Sequence, residues 1–279
     1  MSNADGSKAG NPIHFAALHS QASTQAKHEK PVALVTGAGS GIGQATAVSL
    51  GARGYRLVLV GRRADRLQAT LAKLPTPCSH LVLASDLASG DNAARMIDAT
   101  VERFGRLDAL VNNAGYAPWA SLENKTPEMV RQIFEVNAIA AAMAIARAWP
   151  ALRAAACSTG RATIVNLSSY ATKDPFPGLI IYAASKAALN MLARACHNEG
   201  RSLGIRAFAI APGAVETEML RSILPESAIP SDQTLQPEAI ADLIGECVSG
   251  ARDAESGQTI FVPSPSAAGR PELSGLKRD

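Results

Sequence analysis

From residue 31 onward, short continuous apolar runs alternate with longer stretches whose apolar residues recur every three or four positions. The short runs are VALVTG (32–37), RLVLVG (56–61), HLVLAS (80–85), LDALVNNAG (107–115), ATIVNLSS (162–169), IRAFAIAPG (205–213) and QTIFV (258–262). They read as seven strands. None alternates strictly between apolar and polar positions, so each is expected to be covered on both faces. The helical period runs through 42–54, 64–74, 92–105, 127–154, 181–202 and 237–250, and several of these stretches close on glycine. Strands alternating with helices across short connections predict an α/β fold with a doubly wound parallel sheet of about seven strands and helices on both faces. No internal repeat is present. Residues 31–262 form one expected domain, between an N-terminal extension (1–30) and an extended or disordered tail (263–279).

Composition agrees and narrows the possibilities. A chain of 279 residues with 47% hydrophobic and 18% charged residues can bury a large core. A net charge of +3 is too small to argue for nucleic acid or an anionic membrane. No apolar run approaches the roughly 18–20 residues that span a bilayer, so no membrane partner is expected. The four cysteines (Cys78, Cys157, Cys196 and Cys247) are far apart and form no CxxC. They read as reduced, small buried hydrophobes of a cytoplasmic protein rather than as a disulfide framework or a metal site. Residues 1–30 are rich in Ser, Ala, Asn, Gln and Lys, without the basic start and apolar stretch of a signal peptide. Although they hold His14, His19 and His28, they read as a disordered polar extension rather than a metal site.

TGAGSGIG (36–43) follows the first strand and opens the first helix. Glycines at 37, 41 and 43 allow a tight turn and let backbone N–H groups approach a pyrophosphate at the helix N-terminus. Strand, glycine turn and helix in that order are the context a dinucleotide site requires, and they make the sheet Rossmann-type. The second strand ends in Gly61-Arg62-Arg63, with no carboxylate to accept the ribose hydroxyls of NAD. Two arginines there suit the 2′-phosphate of NADP instead, or are solvated charges at a helix start. Asp86, after the third strand, either accepts from an adenine amino group or caps the segment that follows.

YAASK (182–186) holds a phenol and an ammonium one helical turn apart. Taken alone, the pair is a half-buried tyrosine and a solvated charge at least as readily as a proton-transfer device. With TGAGSGIG, NNAG (112–115), Val136-Asn137, NLSS (166–169) and PGAVETEM (212–219), in that order and spacing, the chain resembles the short-chain dehydrogenase/reductases with TGxxxGxG and YxxxK motifs. The resemblance extends from about Val32 to Val262.

It implies a nicotinamide-dependent oxidoreductase that interconverts a ketone and a secondary alcohol. Its implied catalytic residues are Asn137, Ser169, Tyr182 and Lys186. Tyr182 is the general acid/base. Lys186 binds the nicotinamide ribose and lowers the tyrosine pKa. Ser169, preferred over Ser168 by the family spacing to the tyrosine, orients the substrate oxygen, and Asn137 helps to hold a water beside the lysine. The implied cofactor set is Gly37, Ser40, Gly41, Ile42, Gly43, Arg62, Arg63, Asp86, Leu87, Asn113, Gly115, Tyr182, Lys186, Pro212, Gly213, Val215 and Thr217. Asn112 reads as structural, and Thr217 as a partner for the carboxamide. No metal is expected. A free tyrosine ionises near 10 (about 10 in model peptides), so acid/base work near neutrality needs the phenolate stabilised by roughly 4 kcal/mol.

The segments expected to line the substrate pocket are 116–121, 170–180 and the stretch after Thr217, with Trp119, Phe176, Leu179, Met219 and Leu220 as apolar walls. Lys173 and Arg221 are weighed as single anionic anchors and as solvated charges. Residues 217–236, with Pro225 and Pro230, read as a mobile lid. Two departures stand out: Ser40 replaces the basic residue many NADP-binding members carry before the second glycine, and the last strand ends without the usual GG. The favoured cofactor is NADP, with NAD second, acting on a small carbonyl or alcohol in a homodimer or homotetramer. Alternatives are a 3-oxoacyl-thioester reductase of lipid synthesis, a non-catalytic dinucleotide sensor and a nucleotide-sugar isomerase or epimerase.

Overall fold

The computed structural model describes residues 30–89 and 91–265. Seven strands form a single parallel sheet: β1 (Val32–Thr36), β2 (Arg56–Gly61), β3 (Leu81–Ala84), β4 (Ala109–Asn112), β5 (Ala162–Leu167), β6 (Ile205–Pro212) and β7 (Thr259–Val262). Their order is β3-β2-β1-β4-β5-β6-β7, so the winding reverses between β1 and β4. All five residues of β1 and all six of β5 are buried, as their unbroken apolar sequences predict. Odd and even positions serve different cores. Leu34, Val58, Leu110 and Ile164 face one side, and Val35, Leu59, Val111 and Val165 face the other.

Eight helices cover the faces or edge the site among the described residues: α1 (Gly41–Ala52), α2 (Ala64–Leu71), α3 (Asn92–Phe104), α4 (Pro127–Phe134), α5 (Ala140–Thr159), α6 (Ile180–Gly200), α7 (Glu218–Ile223) and α8 (Pro237–Ser249). Met96 and Ile97 of α3 and Ala144, Ala148 and Leu152 of α5 fill the first core. Ala47 and Leu50 of α1 and Ile240, Ile244 and Val248 of α8 fill the second. Glycines in the left-handed region end α3, α5 and α8 at Gly105, Gly160 and Gly250.

Three expectations change. The stretch expected as one helix over 127–154 runs to Thr159 and contains a π turn at Glu135–Ile139, a wider winding often found beside functional sites. By length and composition, Pro127–Thr159 is also long and apolar enough to cross a membrane: its 33 residues include an 18-residue window of mean hydropathy 1.4. It nevertheless lays Ala144, Ala148 and Leu152 against the sheet. Of the cysteines, Cys196 and Cys247 are buried, but Cys78 and Cys157 are exposed; all four are free thiols. The polar extension and most of the tail lie outside the described residues. Ser264, just past β7, is buried.

Candidate active site

A cavity of about 890 Å³ opens along the C-terminal ends of the strands, around the point where the winding reverses. Every cofactor position named from the sequence lines it, as do Ser169 and the five proposed apolar wall residues. Asn137 does not line it and sits behind the wall.

The glycine loop shows why its small residues are needed. Gly37 and Gly41 adopt φ of 67° and 51°, which side chains disfavour. A Cβ on Gly43 would lie 2.2 Å from the Gly37 carbonyl oxygen and 2.4 Å from Asn113 Nδ2. The first turn of α1 has no acidic residue, so its positive end faces the cavity uncompensated. Asn113 braces the loop from below: its Nδ2 donates to Thr36 O at 2.7 Å, and its backbone N–H donates to the Thr36 hydroxyl. Its amide therefore holds the cradle, although the residue also lines the cavity. A pyrophosphate fits this cradle, where backbone N–H groups converge and any Cβ would intrude.

Ser169 follows β5, and Tyr182 and Lys186 share one face of α6. Ser169 and Tyr182 both line the cavity, and the serine hydroxyl is near enough to the phenol to favour its ionised form. Ser169 Oγ also accepts from Ala171 N at 3.2 Å. Ser168 is buried and donates to the Lys186 carbonyl, which leaves Ser169 as the serine that meets the phenol. Lys186 Nζ donates to Leu167 O at 2.7 Å and lies 5.8 Å from the Tyr182 ring centre. Burial raises the Tyr182 phenol above its ordinary value, and the Ser169 hydroxyl opposes that rise. In the protein alone, desolvation is the largest influence on the phenol. Burial also lowers the Lys186 ammonium to about 8.

Asn137 is engaged on every side. Its Oδ1 accepts from Tyr116 N at 2.7 Å, and its Nδ2 donates to Tyr116 O and to the Ser185 hydroxyl, each at 2.9 Å. It thus ties the Gly115–Tyr116 turn to the helix that carries Lys186. A Cβ on Gly115 would sit 3.3 Å from Lys186 Nζ. Asn112 bonds Asn166 across the sheet, a structural role as expected. Asp86 Oδ1 accepts from Ala88 N, so one carboxylate oxygen shapes the turn while the residue faces the cavity.

The lid differs from its sequence reading. It contains α7, which Thr217 caps by accepting from Leu220 N, and it is braced internally. Arg221 makes a two-pronged pair with Glu216, donates to Ile229 O at 2.7 Å, and leaves Glu216 able to accept from Thr234 as well. The Arg221 bond holds the Glu216 carboxyl below its ordinary value. Arg221 is therefore neither a substrate anchor nor a free charge. Lys173 lies 5.6 Å from the ring centres of both Tyr170 and Phe261. Further along the same segment, Trp119 packs so closely on Gly178 that a Cβ there would come within 2.2 Å of the indole nitrogen.

Among the cavity-lining residues that no motif or expected pocket segment contained are Arg66 and Ser264. Arg66 had a usable signal, since it lies in the first turn of α2, just after Arg62 and Arg63. A Cβ on Gly39 would meet Arg66 Cβ at 3.0 Å, and one on Gly213 would meet Ser264 at 2.7 Å. Those contacts join segments far apart in sequence and left no local trace.

A sheet wound around a glycine cradle, with a serine, tyrosine and lysine at its rim, defines a dinucleotide-dependent oxidoreductase. Comparison with known proteins makes this specific. The short chain dehydrogenase family model matches residues 31–228, and the chain belongs to that family, whose members bind NAD(P)(H) and act on small molecules. It is 39% identical over 195 residues to a Streptomyces violaceoruber protein named as a ketoacyl reductase of the granaticin polyketide synthase, covering 68% of this chain and 74% of that one. It is 31% identical over 246 residues to the short chain dehydrogenase/reductase astE of Aspergillus oryzae, covering 84% and 93%. Among solved structures, the 3-ketoacyl-(acyl-carrier-protein) reductase of Brucella melitensis complexed with NADH superposes with a TM-score of 0.78 at 26% identity, covering 84% of this chain and 97% of that one. Levodione reductase superposes with a TM-score of 0.76 at 27% identity, covering 85% and 97%.

Proposed function

We propose that the chain is an NADP(H)-preferring reductase that interconverts a ketone and a secondary alcohol, with residues 31–262 as its catalytic domain. The observation that carries this reading is that Ser169, Tyr182 and Lys186 share one cavity with the glycine cradle. A nicotinamide cofactor held here would supply the hydride and, when oxidised, a positive charge that favours the phenolate. Ser169 donates to the substrate oxygen and holds it against Tyr182. Tyr182 delivers its proton to that oxygen as the carbonyl is reduced, and takes it back in the reverse direction. Lys186 binds ribose hydroxyls and places its charge on the same helix face as the phenol. Asn137 positions the turn next to the lysine and, through its place there, the relay water.

The remaining cofactor positions follow the cavity. Gly37, Ser40, Gly41, Ile42 and Gly43 take the pyrophosphate, and Asp86 and Leu87 flank the adenine. Asn113, Gly115, Pro212, Gly213, Val215 and Thr217 border the nicotinamide half. Arg62 and Arg63, joined by Arg66, take the 2′-phosphate. Arg62 has no ion pair among the described residues, which suits a cation awaiting an anion. The exposed apolar residues Ile139, Ile180 and Met191 on the helices outside the sheet support a homodimer or homotetramer, and we place the protein in the cytoplasm. Apolar walls built from Trp119, Phe176, Leu179, Met219 and Leu220 favour an uncharged carbonyl substrate. The similarity to proteins named as ketoacyl reductases supports a second reading, a 3-oxoacyl-thioester reductase.

The test is absorbance turnover and thermal shift with NADPH and NADH in parallel, against ketones, 3-oxoacyl thioesters and quinones. The expected result is NADPH-dependent turnover that falls about 10²- to 10⁴-fold in Tyr182→Phe, with cofactor-induced stabilisation retained. Full activity in Tyr182→Phe would remove the phenol from the chemistry.

A further inference from the structure

Glu218 opens the lid helix α7 and reaches across the cavity to the second strand-helix unit. Its carboxylate lies 3.1 Å from Arg63 Nη2 and 3.3 Å from Arg66 Nη1. Glu218, Arg62, Arg63 and Arg66 all line the cavity. The lid therefore supplies an anion of its own to two of the three cations at the end of β2.

We propose that Glu218 sets the cofactor preference of this site by competing with the 2′-phosphate for Arg63 and Arg66. The proposal rests on the reading of these arginines as the 2′-phosphate site. A carboxylate and a phosphate accept from the same guanidinium N–H groups. A phosphate oxygen arriving at those atoms stands beside Glu218, and like charges a few ångströms apart repel. NADP(H) has to displace Glu218 to use both arginines, whereas a cofactor with a free 2′-hydroxyl brings no charge and exchanges nothing. Arg62, without an ion pair among the described residues, gives the phosphate its first contact.

Two features make the exchange workable rather than a block. The pairs are half-exposed, with side-chain exposures of 52% and 47% for the arginines and 54% for Glu218, so each is weak and easily broken. The lid is also braced from within by Glu216, Arg221 and Thr234, so release of Glu218 leaves the rest of the segment intact. The start of the lid touches the glycine loop, since a Cβ on Gly41 would lie 2.9 Å from the Thr217 methyl group. Loss of the Glu218 pairs is thus felt next to the phosphates.

The experiment titrates NADPH and NADH by fluorescence into the full chain and its Glu218→Gln, Glu218→Ala and Arg62→Ser variants, with thermal unfolding of each as a check on folding. Both Glu218 variants are expected to bind NADPH about three- to tenfold more tightly, the scale of one or two exposed ion pairs, with NADH changed less than about twofold. Unchanged or weaker NADPH binding, or an equal gain for both cofactors, overturns the proposal. If Arg62→Ser has then lost NADPH selectively, the NADP reading survives that failure. If the unaltered chain prefers NADH, the NADP reading fails. A selective NADPH gain in Glu218→Gln would still show that Glu218 excludes the phosphate, and no gain would sink both.

Discussion

The two ends of the sheet treat charge differently, although Glu218 pairs with Arg63 and Arg66 at the C-terminal end as well. At the N-terminal ends of the strands, charged groups find partners within the protein. Asp108 accepts from Val32 N at 2.8 Å and from Arg106 Nε at 2.9 Å, with both side chains nearly buried. Arg161 donates to Asp253 at 2.7 Å and to the carbonyls of Cys247 and Val248, closing the end of α8. At the C-terminal ends, Lys186 has a carbonyl for a partner rather than a carboxylate, and Arg62 has no ion pair among the described residues. A parallel sheet aligns all its strands, so one edge can be closed by internal pairs while the other presents backbone donors and unneutralised cations to a ligand.

Breaking the closed edge should have the largest effect. Asp108→Ala removes the nearly buried carboxylate that Arg106 and the Val32 N–H share, and a loss of about 3–5 kcal/mol in urea unfolding is expected. Cofactor affinity of the folded fraction should not change. A loss in affinity comparable to the loss in stability would mean that the two ends are not independent.

The open edge should respond with the opposite sign. The fall of the Lys186 pKa from 10.5 to about 8 corresponds to about 3 kcal/mol of disfavoured charge. Below pH 8 the lysine is protonated in both folded and unfolded states, and the penalty is present in full. Between pH 8 and 10.5 the unfolded chain binds the extra proton, so stability rises with pH. Lys186→Met should abolish activity yet be the more stable protein at pH 7, by up to that amount. Its advantage should shrink as pH climbs through that window. Tyr182, raised by burial, loses stability above pH 10 in both proteins and cancels in the comparison. A difference that does not vary with pH would show that the ammonium is not desolvated in solution.

Arg62→Ser should act least on the fold. It is exposed, so stability stays within about 0.5 kcal/mol. NADPH binding should weaken about tenfold, as for one charge-assisted hydrogen bond, with NADH unaffected.

How much of this was legible depended on whether the signal was local. Burial on both faces writes itself as an unbroken apolar run, so β1, β2, β5 and β6 fall within a residue or two of their expected bounds. The cradle was legible because only glycine fits there, and the choice of Ser169 over Ser168 came from the family resemblance rather than from the residues themselves. The lid was not. A six-residue helix between Thr217 and Pro225 carries too little periodicity, and the Glu216–Arg221 brace forms only once the chain has turned. The Tyr182 shift also escaped, because the motif names the neighbours of the phenol but not how much water they exclude. The exposed Cys78 and Cys157 show the same limit: residue type predicts burial on average, and position decides it.

The contact between Trp119 and Gly178 makes the protein optically self-reporting. The chain has only two tryptophans. Trp149 packs beside the first core, on the Gly200 side of α6, while Trp119 is 39% exposed and lies on the cavity wall. The two indoles sit in different surroundings, one recording the integrity of the core and the other whatever enters the pocket. Ligand arrival and unfolding can therefore be followed in one unlabelled sample as separate changes in emission.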